Sequence, residues 1–121
     1  MNSQYKCKFP FGKKEKIMIQ PITGTENIDQ VIAKGDVILG FSAPWCGYCR
    51  RLRPMVEKLS EEIQPIYGLN CDVDEEITKR YEVETIPTLI YFHDGQPKDR
   101  IIGYGTVGYP QLKEFIEKNS K

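Results

Sequence analysis

Two cysteines, Cys46 and Cys49, are separated by Gly47 and Tyr48. The chemistry open to such a pair is thiol–disulfide exchange or metal binding. The pair lies where a short apolar run, Val37 to Phe41, hands over to a long helical pattern that starts at Cys46. At a helix start the spacing lets both sulfurs close one small ring. Free N–H groups and the helix macrodipole favour an anion there, which suits Cys46 as the attacking thiolate. Cys49 falls one turn inside the helix, so it is expected to be more buried and harder to ionise. This asymmetry makes Cys46 the nucleophile and Cys49 the thiol that resolves the mixed disulfide. Arg50 adds positive charge beside them. A zinc site needs two further ligands. Cys7, Cys71 and His93 are the other Cys and His residues, and they form no second close-spaced pair. No metal, phosphate loop or catalytic triad is therefore expected.

Elements that position the pair are legible as alternating periods. Ile17 to Ile22 reads as a strand, with Pro21 marking an edge or an end. Glu26 to Lys34 reads as a helix with Ile28, Val31 and Ile32 on one face and Gly35 as its stop. Val37 to Phe41 reads as a strand buried on both faces. From Cys46 to Ile63, Leu52, Met55, Val56, Leu59 and Ile63 form one helical stripe. Pro54 sits inside that helix and is expected to kink it. Ile66 to Cys71 is a strand, Asp74 to Tyr81 a short helix and Thr88 to Phe92 a strand. Asp94-Gly95 turns the chain into Arg100 to Ile102, a predicted hairpin. A last helix begins near Pro110 and buries Leu112, Phe115 and Ile116. The order β-α-β-α-β-α-β-β-α implies parallel crossovers plus one antiparallel hairpin, hence an α/β fold with a mixed sheet.

The 121 residues make one domain with a modest core. Residues 1–15, with Lys6, Lys8, Lys13 and Lys14, read as a poorly ordered arm ahead of a domain at 16–121. Lys+Arg and Asp+Glu are 17 each, so the formal net charge is zero and no nucleic-acid or membrane-surface partner is expected. No apolar run approaches the ~20 residues that span a bilayer. Met1 to Lys16 has no apolar signal core, so a cytoplasmic location is expected. A monomer is expected too. Four cysteines are too few for a disulfide-stapled scaffold of this length.

The stretch Phe41-Ser42-Ala43-Pro44-Trp45-Cys46-Gly47-Tyr48-Cys49, with Pro54 beyond it, resembles the active-site segment of the thioredoxin family. Thr85-Ile86-Pro87-Thr88-Leu89 resembles the family's cis-proline segment, and Gly103 and Gln111 to Ile116 match its last strand and helix. The resemblance covers about residues 17 to 118. It implies the thioredoxin fold, a central mixed sheet with helices on both faces. It also implies a cis Ile86–Pro87 peptide facing the cysteines, with the Ile86 backbone open to an extended substrate segment. Trp45, Gly47, Tyr48, Ile86, Pro87 and Gly103 would line substrate, Gly103 by letting a backbone approach closely.

Departures from the family pattern are specific. Many members carry a buried carboxylate six residues ahead of the first cysteine, where this chain has Gly40. A lysine common on the next strand is replaced by Gly68. Without that carboxylate, Cys49 is expected to lose its proton to water or another group, and turnover of the mixed disulfide to slow. Tyr48 stands where reducing members most often have proline, and resembles the more oxidising protein disulfide isomerase domains. Glu84 precedes the cis-proline segment and reads as a solvated loop charge. Cys71 reads as a buried core thiol, Cys7 as an incidental arm thiol, and His93 as a surface residue at the hairpin turn.

The leading reading is a thiol–disulfide oxidoreductase acting on protein disulfides. The cysteine pair carries two electrons, so no organic cofactor is needed, but an upstream reductase or oxidant must recycle it. The alternatives are an extracytoplasmic disulfide isomerase or oxidase, and a binding or redox-sensing module without turnover.

Overall fold

In the computed structural model, the structure describes residues 19–63, 66–103 and 107–120. The arm at 1–15, with Cys7, lies outside the described residues. Five strands and four helices follow the expected order: β1 (Ile19–Pro21), α1 (Thr25–Ile32), β2 (Asp36–Ser42), α2 (Gly47–Glu62), β3 (Ile66–Asn70), α3 (Glu75–Arg80), β4 (Thr88–His93), β5 (Gln96–Ile102) and α4 (Tyr109–Asn119).

The strands form one sheet in the order β1-β3-β2-β4-β5. β1 and β2 each pair parallel to β3, and β4 pairs antiparallel to both β2 and β5. Alternation along β2 and β4 sorts side chains to opposite faces. Val37, Leu39, Phe41, Ile90 and Phe92 pack with Ile28 and Ile32 of α1 and Ile77 of α3. Ile38, Leu89 and Tyr91 pack with Leu52, Val56 and Leu59 of α2 and Leu112, Phe115 and Ile116 of α4. The helices thus cover both faces, which is why β2 and β4 read as continuous apolar runs.

Several boundaries differ from the expectation. β1 ends at Pro21, which has no N–H to continue a ladder, although the Ile22 N–H still donates to the Gly68 carbonyl at 2.9 Å. β5 starts at Gln96 and not at Arg100. Its polar run Gln96 to Arg100 masks the strand, because β5 is a sheet edge that faces solvent. A register shift between Tyr91 and Phe92 accommodates it. Helix α2 continues as one element through Pro54. Cys71 lies one residue beyond β3 and is only half-buried; its N–H donates to the Ser42 carbonyl at 2.8 Å. Desolvation pushes its thiol pKa up.

A polar cluster ties the far end of the sheet together. Asp36 accepts from the Tyr91 hydroxyl at 2.7 Å and contacts His93 Nδ1 at 2.6 Å. The Tyr91 hydroxyl oxygen also lies 3.3 Å from the Ser120 hydroxyl beyond α4. These bonds, with Tyr91 first, hold the Asp36 carboxyl below its usual range. The Asp36 bond, and then Asp94, raise His93 above the ordinary imidazole value. The raised His93 value gives stabilisation that is complete below the unfolded pKa of about 6.5 and lost as pH rises through the folded value. The lowered Asp36 value gives stabilisation present above about 3.9 and lost as pH falls through its folded value. His93→Gln is therefore expected to lower Tm most near pH 5.5 and scarcely above about pH 8.5. Equal losses at both pH values in a thermal melt would show that the ion pair contributes nothing.

Candidate active site

β2 and β3 run parallel, so their C-terminal ends meet on one side of the sheet. Both following helices, α2 and α3, begin there. Cys46 is the N-cap of α2, with extended backbone (φ −84°, ψ 117°). Its sulfur accepts from the Cys49 N–H at 3.2 Å, so an orphan helix donor points at the atom that must carry charge. On its other side the Cys46 thiol donates to the Ile86 carbonyl at 3.9 Å. The Ile86–Pro87 peptide is cis. Residues 40 apart in the chain thus meet at one sulfur.

The two thiols differ as the helix position demands, with one correction. Cys49 was expected to be the more buried, but Cys46 is only 5% exposed and Cys49 is half-buried. The reason is tertiary: the cis-proline segment lies against Cys46 and turns its sulfur inward. Cys49 is nonetheless hard to ionise. Burial, followed by the Cys46 hydrogen bond, pushes its pKa up to about 12, against a smaller lowering by the Ala43 backbone. Both cysteines are free thiols here, the reduced form of the pair.

Gly40 and Gly68 face one another directly across the β2–β3 ladder. By strand alternation both lie on the face covered by α2. The space a side chain at Gly40 needs is already taken: its Cβ would stand 3.0 Å from Leu89 Cδ2 and 3.6 Å from the Tyr67 carbonyl. Burial and the neighbouring Cys46 thiol, not a carboxylate, are the main causes that raise Cys49. The apolar Leu89 methyl stands against the face of Gly40.

Trp45 is 66% exposed, and its Nε1 donates to Asp72 Oδ2 at 2.8 Å. It is a rim residue and not core. Asp72 carried no sequence cue, since nothing in its spacing joins it to a tryptophan 27 residues away. Tyr48 is 39% exposed on the first turn of α2, and Gly47 is exposed beside it. Arg50 Nη1 donates to the Pro44 carbonyl at 2.9 Å, which braces the loop ahead of Cys46. Glu84 is exposed in the loop before Ile86.

Gly103 has an internal role that the sequence did not show. Its N–H donates to the Pro87 carbonyl at 2.8 Å. A Cβ there would stand 2.2 Å from Leu52 Cδ1 and 3.2 Å from Pro87 Cγ. Leu52 is buried in the core, so its side chain must repack against its neighbours to admit the methyl. Gly103→Ala is expected to cost about 1–3 kcal/mol through overpacking. It should also slow disulfide exchange, because the same methyl presses on Pro87. Denaturant melts showing no loss would mean that Leu52 repacks freely.

The comparisons with known proteins agree with this geometry. The Thioredoxin family model matches residues 19–118. A thioredoxin of Chlamydia pneumoniae is 43% identical over 84 residues, spanning 68% of this chain and 82% of that protein. Thioredoxin-2 of Saccharomyces cerevisiae is 33% identical over 106 residues, spanning 84% and 99%. The solved structure of a Halobacterium salinarum thioredoxin superposes with a TM-score of 0.77 at 28% identity, covering 91% of this chain and 97% of that one. A match of the family model over residues 19–118, relatives 43% and 33% identical, and a shared overall fold together show that the chain belongs to the thioredoxin family of protein-disulfide oxidoreductases.

Proposed function

We propose that this protein reduces disulfides of client proteins in a reducing, cytoplasmic compartment, with Cys46 as nucleophile and Cys49 as resolving thiol. The observation that carries the reading is Cys46 Sγ placed between the Cys49 N–H and the Ile86 carbonyl. The Cys46 thiolate attacks one sulfur of the client disulfide. A Cys46–client bond forms, and the client's second sulfur leaves as a thiolate. Cys49, deprotonated, then attacks Cys46; the Cys46–Cys49 disulfide forms and the remaining client thiolate departs. Two electrons pass to the client, and an upstream thiol reductase must return two to the pair. The pair itself carries these electrons, so no organic cofactor is required.

An extended client segment beside Ile86, Pro87 and the Trp45–Tyr48 rim suits this chemistry, because backbone pairing holds a disulfide without demanding one sequence. A second reading, isomerase or oxidant, has one observation in its favour. A resolving thiol pushed up to about 12 lengthens the life of the mixed disulfide, giving a client time to rearrange. Equilibration of the pair with a glutathione buffer separates the two. A potential below about −250 mV fits the reductant, and one above about −200 mV fits the oxidant or isomerase. A pair that forms no reversible disulfide would end both readings.

A further inference from the structure

The two residues ahead of Cys46 hold groups of opposite charge. The Pro44 carbonyl accepts from Arg50, and the Trp45 indole donates to Asp72. Each contact is the start of a larger flank. On the α2 side, Arg50, Arg51 and Arg53 are all exposed, and the helix has no acid before Glu57, which pairs with Arg53 at 3.1 Å. On the α3 side, exposed Asp72 is followed by Glu75 and Glu76 in the first turn of the helix. Exposed Glu84 then precedes Ile86 by two residues. The basic residues of α3, Lys79 and Arg80, lie in its last turn; Arg80 is tied to Asp29 at 2.7 Å and also pairs with Glu76 at 3.7 Å, which leaves Asp72, Glu75 and Glu84 as the main acids of this flank. Both flanks adjoin the same end of the sheet, because α2 and α3 start where β2 and β3 end. The chain's formal charge is zero, so this division reflects placement and not net charge.

A field of this kind acts at short range, since exposed charges are screened over about 8 Å at physiological salt. An extended segment rises about 3.3 Å per residue. Side chains two or three places from the attacked sulfur therefore reach the flanks, and more distant ones do not. We propose that the redox face selects client segments of dipolar charge, in which the attacked half-cystine lies between an acidic side chain met by the α2 arginines and a basic side chain met by Asp72 and Glu84. This inference rests on the reading of that face as the client site. It adds a polarity to a surface whose apolar rim, Trp45 and Tyr48, would accept any extended segment.

The test uses the reduced Cys49→Ser protein and short single-cysteine peptides activated as neutral 2-thiopyridyl disulfides. Cys46 attacks the peptide sulfur, a Cys46–peptide bond forms, and 2-thiopyridone leaves with the electron pair and is followed by absorbance. Cys46→Ser/Cys49→Ser protein measures the background from other thiols. Three peptides of equal length carry acid–Cys–base, base–Cys–acid or neutral flanks two residues from the cysteine. One charge order is expected to react about 3- to 10-fold faster than the other at low ionic strength, with the two converging near 0.5 M salt. Arg51→Glu/Arg53→Glu, or Glu84→Lys alone, should bring that ratio towards one or invert it. A ratio is insensitive to a general loss of active protein. Equal rates for both orders, or a ratio that neither variant moves, would overturn the proposal while leaving the exchange chemistry intact. If no peptide reacts above background, Cys46 is not a nucleophile, and the client-site reading fails with it.

Discussion

Cys49→Ser protein mixed with a disulfide client is expected to accumulate as a covalent complex joined through Cys46, while Cys46→Ser protein accumulates none. Both variants should lose steady-state reduction of an insulin-type disulfide by at least about 10³-fold, because residues that act as one unit are not additive. The asymmetry follows from position. Cys46 is the helix cap whose sulfur meets both the Cys49 N–H and the Ile86 carbonyl. Cys49 sits inside the first turn with its pKa pushed up to about 12. It is the wrong thiol to start the reaction near neutral pH. It can only finish it, once Cys46 is tied up and its own attack is intramolecular. Non-reducing electrophoresis separates the outcomes. Complexes formed by both variants, or by neither, would contradict the assigned roles.

Resolution of the mixed disulfide is expected to accelerate about tenfold for each pH unit between pH 7 and pH 10, close to 10³-fold across the range. Only the thiolate attacks, and well below its pKa the thiolate fraction of Cys49 rises in proportion to hydroxide. Forming the mixed disulfide removes the Cys46 hydrogen bond that helps raise Cys49, but burial, the larger cause, remains. The profile should therefore keep climbing through pH 9. Rapid-mixing kinetics on a preformed Cys46–peptide disulfide measure this step directly, and a plateau below pH 8 would refute it.

The same experiment tests what a carboxylate at position 40 would do. Gly40→Asp alone is opposed by the Leu89 methyl 3.0 Å from the new Cβ. Combined with Leu89→Val to make room, it should supply an internal proton acceptor. At pH 7 the resolving step is then expected to quicken at least about tenfold, the low end of general-base effects. Its pH profile should flatten above the pKa of the new carboxyl. A rate that stays proportional to hydroxide would mean that the carboxylate does not reach Cys49.

Much of this protein was determined by local pattern. The 3.6-residue stripe of Leu52, Val56 and Leu59 and the apolar run Val37 to Phe41 name their elements, because each face is set by neighbours a few places away. A Cys-Gly-Tyr-Cys segment at a strand-to-helix junction carries its chemistry for the same reason, since the helix terminus that favours the anion is built from the next four residues. Even the departure at Gly40 is visible in the sequence. Tertiary structure decided what depends on residues far apart in the chain. The cis-proline loop covers Cys46 and reverses the expected order of exposure. Leu89 fills the face of Gly40, and Leu52 with Pro87 leaves Gly103 no room for a side chain. Asp72 holds the exposed tryptophan. Asp36 meets Tyr91 and His93 from 55 and 57 residues away. Periodicity records which face a residue turns inward; which atom meets it there is settled only when the sheet closes.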